Sequence, residues 1–560
     1  MRFLWTVLLC ACCGSALGNP DSLMQLDQDY WAWRAREQPF SEDDIPRIER
    51  PADYSVDWSP RTIGDYRMAL QHFEDRWRAL TPPSGSERAV QVDHALIGSA
   101  LARARYELDM VQSWARNPTF YIDQTLGSVY ALLLTPAPIT AERQEQILHR
   151  LEGIPATLRH AHENLSDIRA PFLKLATDAL AEIDTRLARL NATLSPVFDD
   201  GRRERLANDI TQTITALNDY RHWLLAQQQS ARSDTAIGPE AFDFFLHRVA
   251  LLTLTPDEMQ NLARAEWARA VTFEAVEQTR LSATDAPRLF ESAQAQIAAE
   301  RVREAEIRRF LGERHLLTVP QDLPHYRNEL LPDYLEPLAF LGVSDDLTSA
   351  SRAQDDAVSY IRTPSPDLPY FYLSTARDPR PIVVHEGVPG HFFQLALGWR
   401  HPDPIRRHYY DSTTNEGIGF YAEEMLLQAG LFDDQPSTRA TIYNFMRLRA
   451  LRVEVDIRLA LGDYTIDQAA DYLARTVPMD KTSARDEAAS FAATPGQGLS
   501  YQIGKSQIVA LLAEAKRREG DRFSVQAFHD RLWKDGNVPF ELLRYEWWGD
   551  SADSPRPRSP

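Results

Sequence analysis

The sequence predicts a mainly α-helical fold, large enough for two lobes or for one helical domain with two halves, on three observations. The chain is 560 residues long, more than one simple core serves. Apolar residues recur at three- and four-residue intervals through eleven segments, the stripe of amphipathic helices. Turn clusters such as Thr81-Pro82-Pro83-Ser84-Gly85 and Asp199-Asp200-Gly201 separate those segments.

In order, helices are expected over 62–77, 90–116, 140–165, 168–193, 203–230, 256–280, 285–311, 437–461, 465–476, 501–518 and 524–534. An N-terminal helical lobe over 19–240 and a C-terminal helical lobe over 241–549 follow from that run, and no internal repeat interrupts it. Two stretches break the pattern. Residues 314–345 carry scattered prolines (Pro320, Pro324, Pro332, Pro337) and read as an irregular crossing. Residues 369–375 (Pro-Tyr-Phe-Tyr-Leu-Ser-Thr) are aromatic enough for a short strand, able to pair with an extended peptide, or for a short buried connection.

The two ends stand apart from the fold. Arg2, the apolar run Phe3 to Leu9 and the small residues ending at Gly18 have the order of a secretory signal, too short to span a membrane. Cleavage after Gly18 releases an exported, periplasmic or secreted chain. The box Leu9-Cys10-Ala11-Cys12 offers the alternative of a lipid anchor on Cys12. The Ser-, Pro- and Arg-rich tail 550–560 reads as disordered. All three cysteines fall within the first 13 residues, so a metal site beyond them rests on His, Asp and Glu. A net charge of −19 argues against nucleic acid or an anionic membrane surface as partner, and no stretch beyond the signal is long and apolar enough to cross a membrane.

The chemistry concentrates in His385-Glu386-Gly387-Val388-Pro389-Gly390-His391-Phe392-Phe393-Gln394 and in Asn415-Glu416-Gly417 downstream. Two imidazoles and a carboxylate are the protein ligands of a catalytic zinc, and a spare Glu beside them supplies a base. The spacing needs an explanation. On a regular helix two residues six apart diverge by roughly 120° at about 3.6 residues per turn. Pro389-Gly390 lies between them, and a bulge there brings His391 back beside His385. Glu416 follows the capping run Asp411-Ser412-Thr413-Thr414-Asn415, which places it in the first turn of a new helix. Glu423, seven residues on, shares its face and is assigned to orienting a ligand His. Glu386 is the candidate base. His401 and His408 sit in a polar connection and read as surface residues.

Those blocks, together with Asn-Glu-Gly-Ile-Gly-Phe-Tyr-Ala-Glu-Glu (415–424) and Pro-Gly-Gln-Gly-Leu-Ser-Tyr-Gln-Ile-Gly-Lys (495–505), resemble the Domain of Unknown Function 885 family. Arg116-Asn117-Pro118 and Phe528-His529-Asp530 extend the resemblance over most of the chain. The family is regarded as helical bacterial zinc metallopeptidases, similar in layout to the angiotensin-converting-enzyme and oligopeptidase clans. The resemblance implies a two-lobed metallopeptidase-like fold with a cleft, zinc on His385, His391 and Glu416, Glu386 as base, and short peptides as substrates. By position, and by analogy to the similar clans, Tyr501 is the candidate second electrophile, against a plain packing role at a helix start. Lys505 and, on weaker grounds, Arg544 are candidates for a substrate carboxylate, against ordinary solvated cations. The chain departs from the family pattern at Phe392, Ile418, Ser490 and over Asp456-Ile457-Arg458-Leu459-Ala460, so no specificity carries over. A zinc hydrolase of non-peptide amides, and a peptide- or metal-binding protein without catalysis, are the alternatives. An intact Glu386 speaks against the second.

Overall fold

The structure is a computed structural model that describes residues 22–41, 48–83, 85–281 and 288–549. The expected export signal and C-terminal tail lie outside those residues. Helices dominate, as the periodicity predicts, and their starts carry the expected caps. Helix α1 (Leu23–Glu37) begins where Ser22 accepts from the Gln25 N–H, and α2 (Pro60–Ala79) where Ser59 precedes Pro60. Helix α3 (Arg88–Arg105) continues into a π-turn at Tyr106–Val111, so the expected 90–116 helix ends early as an α-helix. Helix α4 (Pro256–Gln278) opens with a reciprocal capping box of Thr255 and Glu258, and α5 spans Ala293–Glu313. The expected 168–193 helix is two, Ala170–Ala179 and Ile183–Leu194.

The strand prediction is corrected. Residues Tyr370–Thr375 form a short helix, in which the Leu373 N–H reaches the Pro369 carbonyl at 2.8 Å. Tyr370 and Phe371 pack against Phe445 there, and that contact overrides their β propensity. The strands lie mostly in the stretch read as irregular. β1 (Tyr326–Leu330) runs parallel to β3 (Ala357–Ile361), and β2 (Asp345–Asp346) pairs antiparallel on the other side of β3, giving the order β1-β3-β2. Each is short and central pairing is limited, so alternation is too brief to announce them.

The C-terminal helices are α6 (His391–Gly398), α7 (Ser412–Ala429), α8 (Pro436–Leu461), α9 (Lys481–Ala493), α10 (Gln497–Glu519), α11 (Val525–Lys534) and α12 (Phe540–Trp548). The largest apolar cluster draws on both halves of the chain, from Leu26 on α1 through Phe392 and Phe420 to Trp547. Helices α7 and α10 cross at backbone contact. A Cβ on Gly504 would sit 2.0 Å from the Thr413 carbonyl oxygen, a distance no side chain tolerates. Asp456 of α8 fixes the start of α10 by accepting the Gly496 and Leu499 N–H groups, each at 2.9 Å. Among the described residues no helix is long and apolar enough to cross a membrane.

Candidate metal centre

The six-residue spacing closes by a device other than the expected bulge. The chain makes a π-turn at Val383–Gly387, closed by the Val388 N–H on the Val383 carbonyl at 2.8 Å. Val388 is extended (φ −123°, ψ 119°), the Val388-Pro389 peptide is cis, and a new helix starts at His391. His385 therefore ends one element and His391 begins the next. The turn is tight enough that a Cβ on Gly390 would lie 1.7 Å from the His385 carbonyl oxygen. Trp533 pins it from α11, donating its indole N–H to the Pro389 carbonyl at 2.6 Å. Glu416 comes from α7 as that helix's fifth residue, just past the first turn in which it was expected.

His385, His391 and Glu416 are all buried, and one ligand atom from each lies within 4.8 Å of the others. Glu416 Oε2 is 3.4 Å from Nε2 of both imidazoles. That is longer than the 2.7–2.9 Å of a charge-assisted hydrogen bond. It matches the edge of a tetrahedron, about 3.4 Å, when three ligands share a centre at zinc bond lengths of about 2.1 Å. Oε2 has no hydrogen-bond partner, whereas Oε1 accepts from the Gln497 side-chain amide at 3.3 Å. The donor set and its spacing thus fit a zinc-sized cation.

The surroundings prepare these ligands. His385 Nδ1 donates to Glu423 Oε1 at 2.7 Å, since a carboxylate can only accept. That tautomer leaves the Nε2 lone pair facing Glu416 Oε2, the arrangement that orients metal-binding histidines. Glu423 in turn meets the Arg449 guanidinium at 3.1 Å. Burial alone would raise the Glu416 carboxyl, but the two imidazoles hold it well below the usual range. Burial likewise opposes charge on His385, and its contacts to Glu416 and Glu423 outweigh it and raise the ring.

Glu386 stands at the rim, its Oε2 3.9 Å from His391 Nε2 and its side chain 18% exposed against 2% for His391. It is close enough to serve the centre and too far to be its ligand. Tyr501 lies in the second turn of α10, not before a helix, and its ring runs parallel to the His385 imidazole with centroids 6.1 Å apart. Arg452 covers the same ring at 4.5 Å and is itself held by Glu487 through two 2.6 Å bonds.

Two expectations are corrected. Lys505 is not available to a substrate and is not solvated. It is 1% exposed, bonded to Glu266 at 2.9 Å and Glu424 at 2.8 Å, over the face of Phe420. Arg544 pairs with Glu514 at 2.8 Å, thirteen residues along α10 from Tyr501, or about 20 Å at 1.5 Å per residue. His401 and His408 stay off the triad. His401 closes a local turn with the Asp403 N–H, and His408 packs on Trp31. The residues that sequence reasoning passed over are Gln497, Arg449 and Arg452. Only Gln497 had a signal, its place in the Pro-Gly-Gln block.

Solved structures share the architecture. A "putative lipoprotein of unknown function" from Shewanella oneidensis superposes with a TM-score of 0.68 at 16% identity, covering 94% of this chain and 99% of its own. A "putative lipoprotein" from Colwellia psychrerythraea does so with a TM-score of 0.71 at 18% identity, covering 94% and 98%. At such identities the likeness speaks for the fold alone. No curated protein matches the chain. A family model matches residues 47–546, nearly the whole described molecule, and the chain belongs to that family, described as bacterial protein of unknown function (DUF885).

Proposed function

We propose that this protein is an exported zinc-dependent peptidase that hydrolyses short peptides. The observation that carries the reading is the partnerless Glu416 Oε2, buried 3.4 Å from two imidazole nitrogens. A buried carboxylate oxygen left so is costly unless a cation meets it. His385, His391 and Glu416 hold the ion, which when bound supplies a water of lowered pKa and a Lewis acid for the scissile carbonyl.

The chain's own groups divide the remaining work. Glu386 takes a proton from the attacking water and returns it to the leaving amine, a role suited to a carboxylate beside the ligands and partly open to solvent. Glu423 keeps His385 in the tautomer that ligates. Tyr501, held between His385 and Arg452, is placed to support charge on the substrate oxygen. Export is supported by the signal-like first 18 residues and by the printed description of both structural relatives as lipoproteins, which also favours the Cys12 anchor over free release.

Metal content of the purified protein, measured by mass spectrometry beside His391→Ala, is the direct test. About one zinc per chain, lost in the variant, is expected. A panel of short peptides with Glu386→Gln as control then tests the chemistry, with a loss of roughly 10²–10⁴ in turnover at unchanged zinc. A wild-type protein that takes up no zinc overturns the proposal, and zinc without hydrolysis of peptides leaves the acylated amino acids as the substrates to assay.

A further inference from the structure

A cavity of about 290 Å³ lies between α1 and α3 on one side and the chain entering α10 on the other. None of the three ligands lines it. Its walls are aromatic, with Trp31, Trp33, Trp58, Tyr66, Trp114 and Phe120 facing it. Four of the chain's twelve tryptophans thus meet at one recess, a concentration that core packing alone does not call for. The rings brace one another edge to face, Trp58 against Phe120 at 4.7 Å and 83°, and against Tyr66 at 5.7 Å and 88°. Walls built in that way are preorganised for another ring, because edge-to-face contacts are the geometry aromatic pairs prefer.

Polar groups also line the recess, Arg103, Asn117 and Asp123 among them. Arg34 is spent on Glu107 at 2.8 Å. Glu37 is different: its Oε2 is buried without a hydrogen-bond partner, and burial raises its carboxyl. The carboxyl already meets the Tyr66 hydroxyl, and Oε2 is left to accept an N–H that arrives in the cavity. Ser412 and Gln497 are among the residues that line the cavity. Ser412 opens α7 one turn before Glu416, and the Gln497 amide donates to Glu416 Oε1. Cavity and candidate metal centre therefore meet at Gln497.

We propose that this cavity is a specificity subsite that takes an aromatic side chain of a peptide, with Glu37 accepting an N–H of the same peptide. The role as a substrate subsite rests on the peptidase reading above; the binding does not. The volume is at the low end of ligand sites, roughly 300–1,000 Å³, and suits one or two rings.

The test is calorimetric titration of the metal-free full chain with N-acetylated, amidated Ala-Phe-Ala and, as control, Ala-Ala-Ala. The Phe peptide should bind saturably and at least tenfold more tightly than the control. Ala104→Phe, which fills the recess from α3, should abolish that preference, and Trp31→Ala on the half-buried rim should weaken it. Circular dichroism checks both folds, and Trp31→Ala decides if Ala104→Phe does not fold. Equal binding of the two peptides, no binding of either, or a preference untouched by the folded variants overturns the inference. A protein that binds the Phe peptide but no zinc sinks the peptidase reading and leaves the aromatic site standing.

Discussion

Two buried charge clusters share one pair of helices. Adjacent residues of α7, Glu423 and Glu424, belong to different clusters, as do Tyr501 and Lys505 one turn apart on α10. Around Glu424 every charge meets its opposite. Lys505 bonds Glu424 at 2.8 Å and Glu266 at 2.9 Å, and Arg269 meets the same two carboxylates at 2.7 and 2.9 Å. Two cations and two anions close on each other. Around Glu416 the distances stop at 3.4 Å, and one carboxylate oxygen keeps no partner. The difference teaches that burial of charge does not mark a metal site. Open spacing around a common centre is what the proposed zinc requires, because ligands that share an ion stand a tetrahedron's edge apart rather than at hydrogen-bond length.

The sharpest break of that comparison is a paired substitution. Glu416→Gln should take zinc from about one per chain to none, while Glu424→Gln, eight residues on along the same helix, should keep it. Metal analysis of both proteins decides, and zinc retained by Glu416→Gln would sink the assignment of the open cluster. Stability should respond the other way round. Lys505→Met leaves Glu266 and Glu424 with one cation between them, and because those carboxylates are 25% and 16% exposed the loss falls below the roughly 3–5 kcal/mol of a fully buried pair. Urea unfolding of the metal-free protein should show that loss, with zinc uptake by the folded variant unchanged.

The closed cluster also has a pH signature. Burial pushes the Glu266 carboxyl up, but Arg269 and Lys505 more than reverse this and bring it down to about 2. A depressed carboxyl contributes stability that is fully present above its unfolded value of about 4.3. That contribution is lost as pH falls from there toward about 2. The urea midpoint of the wild type should therefore fall through this window, and Lys505→Met should fall less. Parallel slopes for the two proteins would show that Lys505 does not hold Glu266 ionised.

An effect of intermediate size belongs to Glu423, which reaches the open cluster only through His385. Glu423→Gln keeps a side chain of the same shape at 2.7 Å from His385 Nδ1 but removes the charge that fixes the donating tautomer. Zinc affinity should drop about 10–100-fold. Competition with a chelator measures it, and an unchanged affinity would reduce Glu423 to a packing residue.

Much of this was readable from the chain, and each failure has a particular physical cause. The helices follow from apolar spacing, and the three candidate ligands from residue type around a Pro-Gly break. What the spacing could not reveal was how the break works: a terminated π-turn and a fresh helix replace the bulge, because Gly390 lets backbone pass against the His385 carbonyl. Tyr370 and Phe371 have strand propensity yet form a helix, since Phe445 comes from a helix about seventy residues away in sequence. Lys505 looks like a free cation beside the site because its partner Glu266 is 239 residues distant. Gln497 could be noticed only as part of a motif, as nothing local ties it to Glu416. A local backbone contact decided the first case, and long-range pairing the other three.

The smallest expected effect tests the outer end of α10. Arg544 meets Glu514 at 2.8 Å, but its side chain is 31% exposed, so water screens the pair and competes for both partners. Such a contact is worth about 0–1 kcal/mol. Lys505, on the same helix, faces a larger cost for the same loss of a cation, because its own side chain is 2% exposed and Glu266 and Glu424 keep only 25% and 16% of theirs in solvent. Arg544→Ala should therefore shift the urea midpoint barely, leave zinc content at the wild-type level and leave peptide turnover unaltered. A large loss of turnover with the fold and zinc intact would return Arg544 to the substrate and require α12 to move toward Tyr501, across the roughly 20 Å of helix that now separates them.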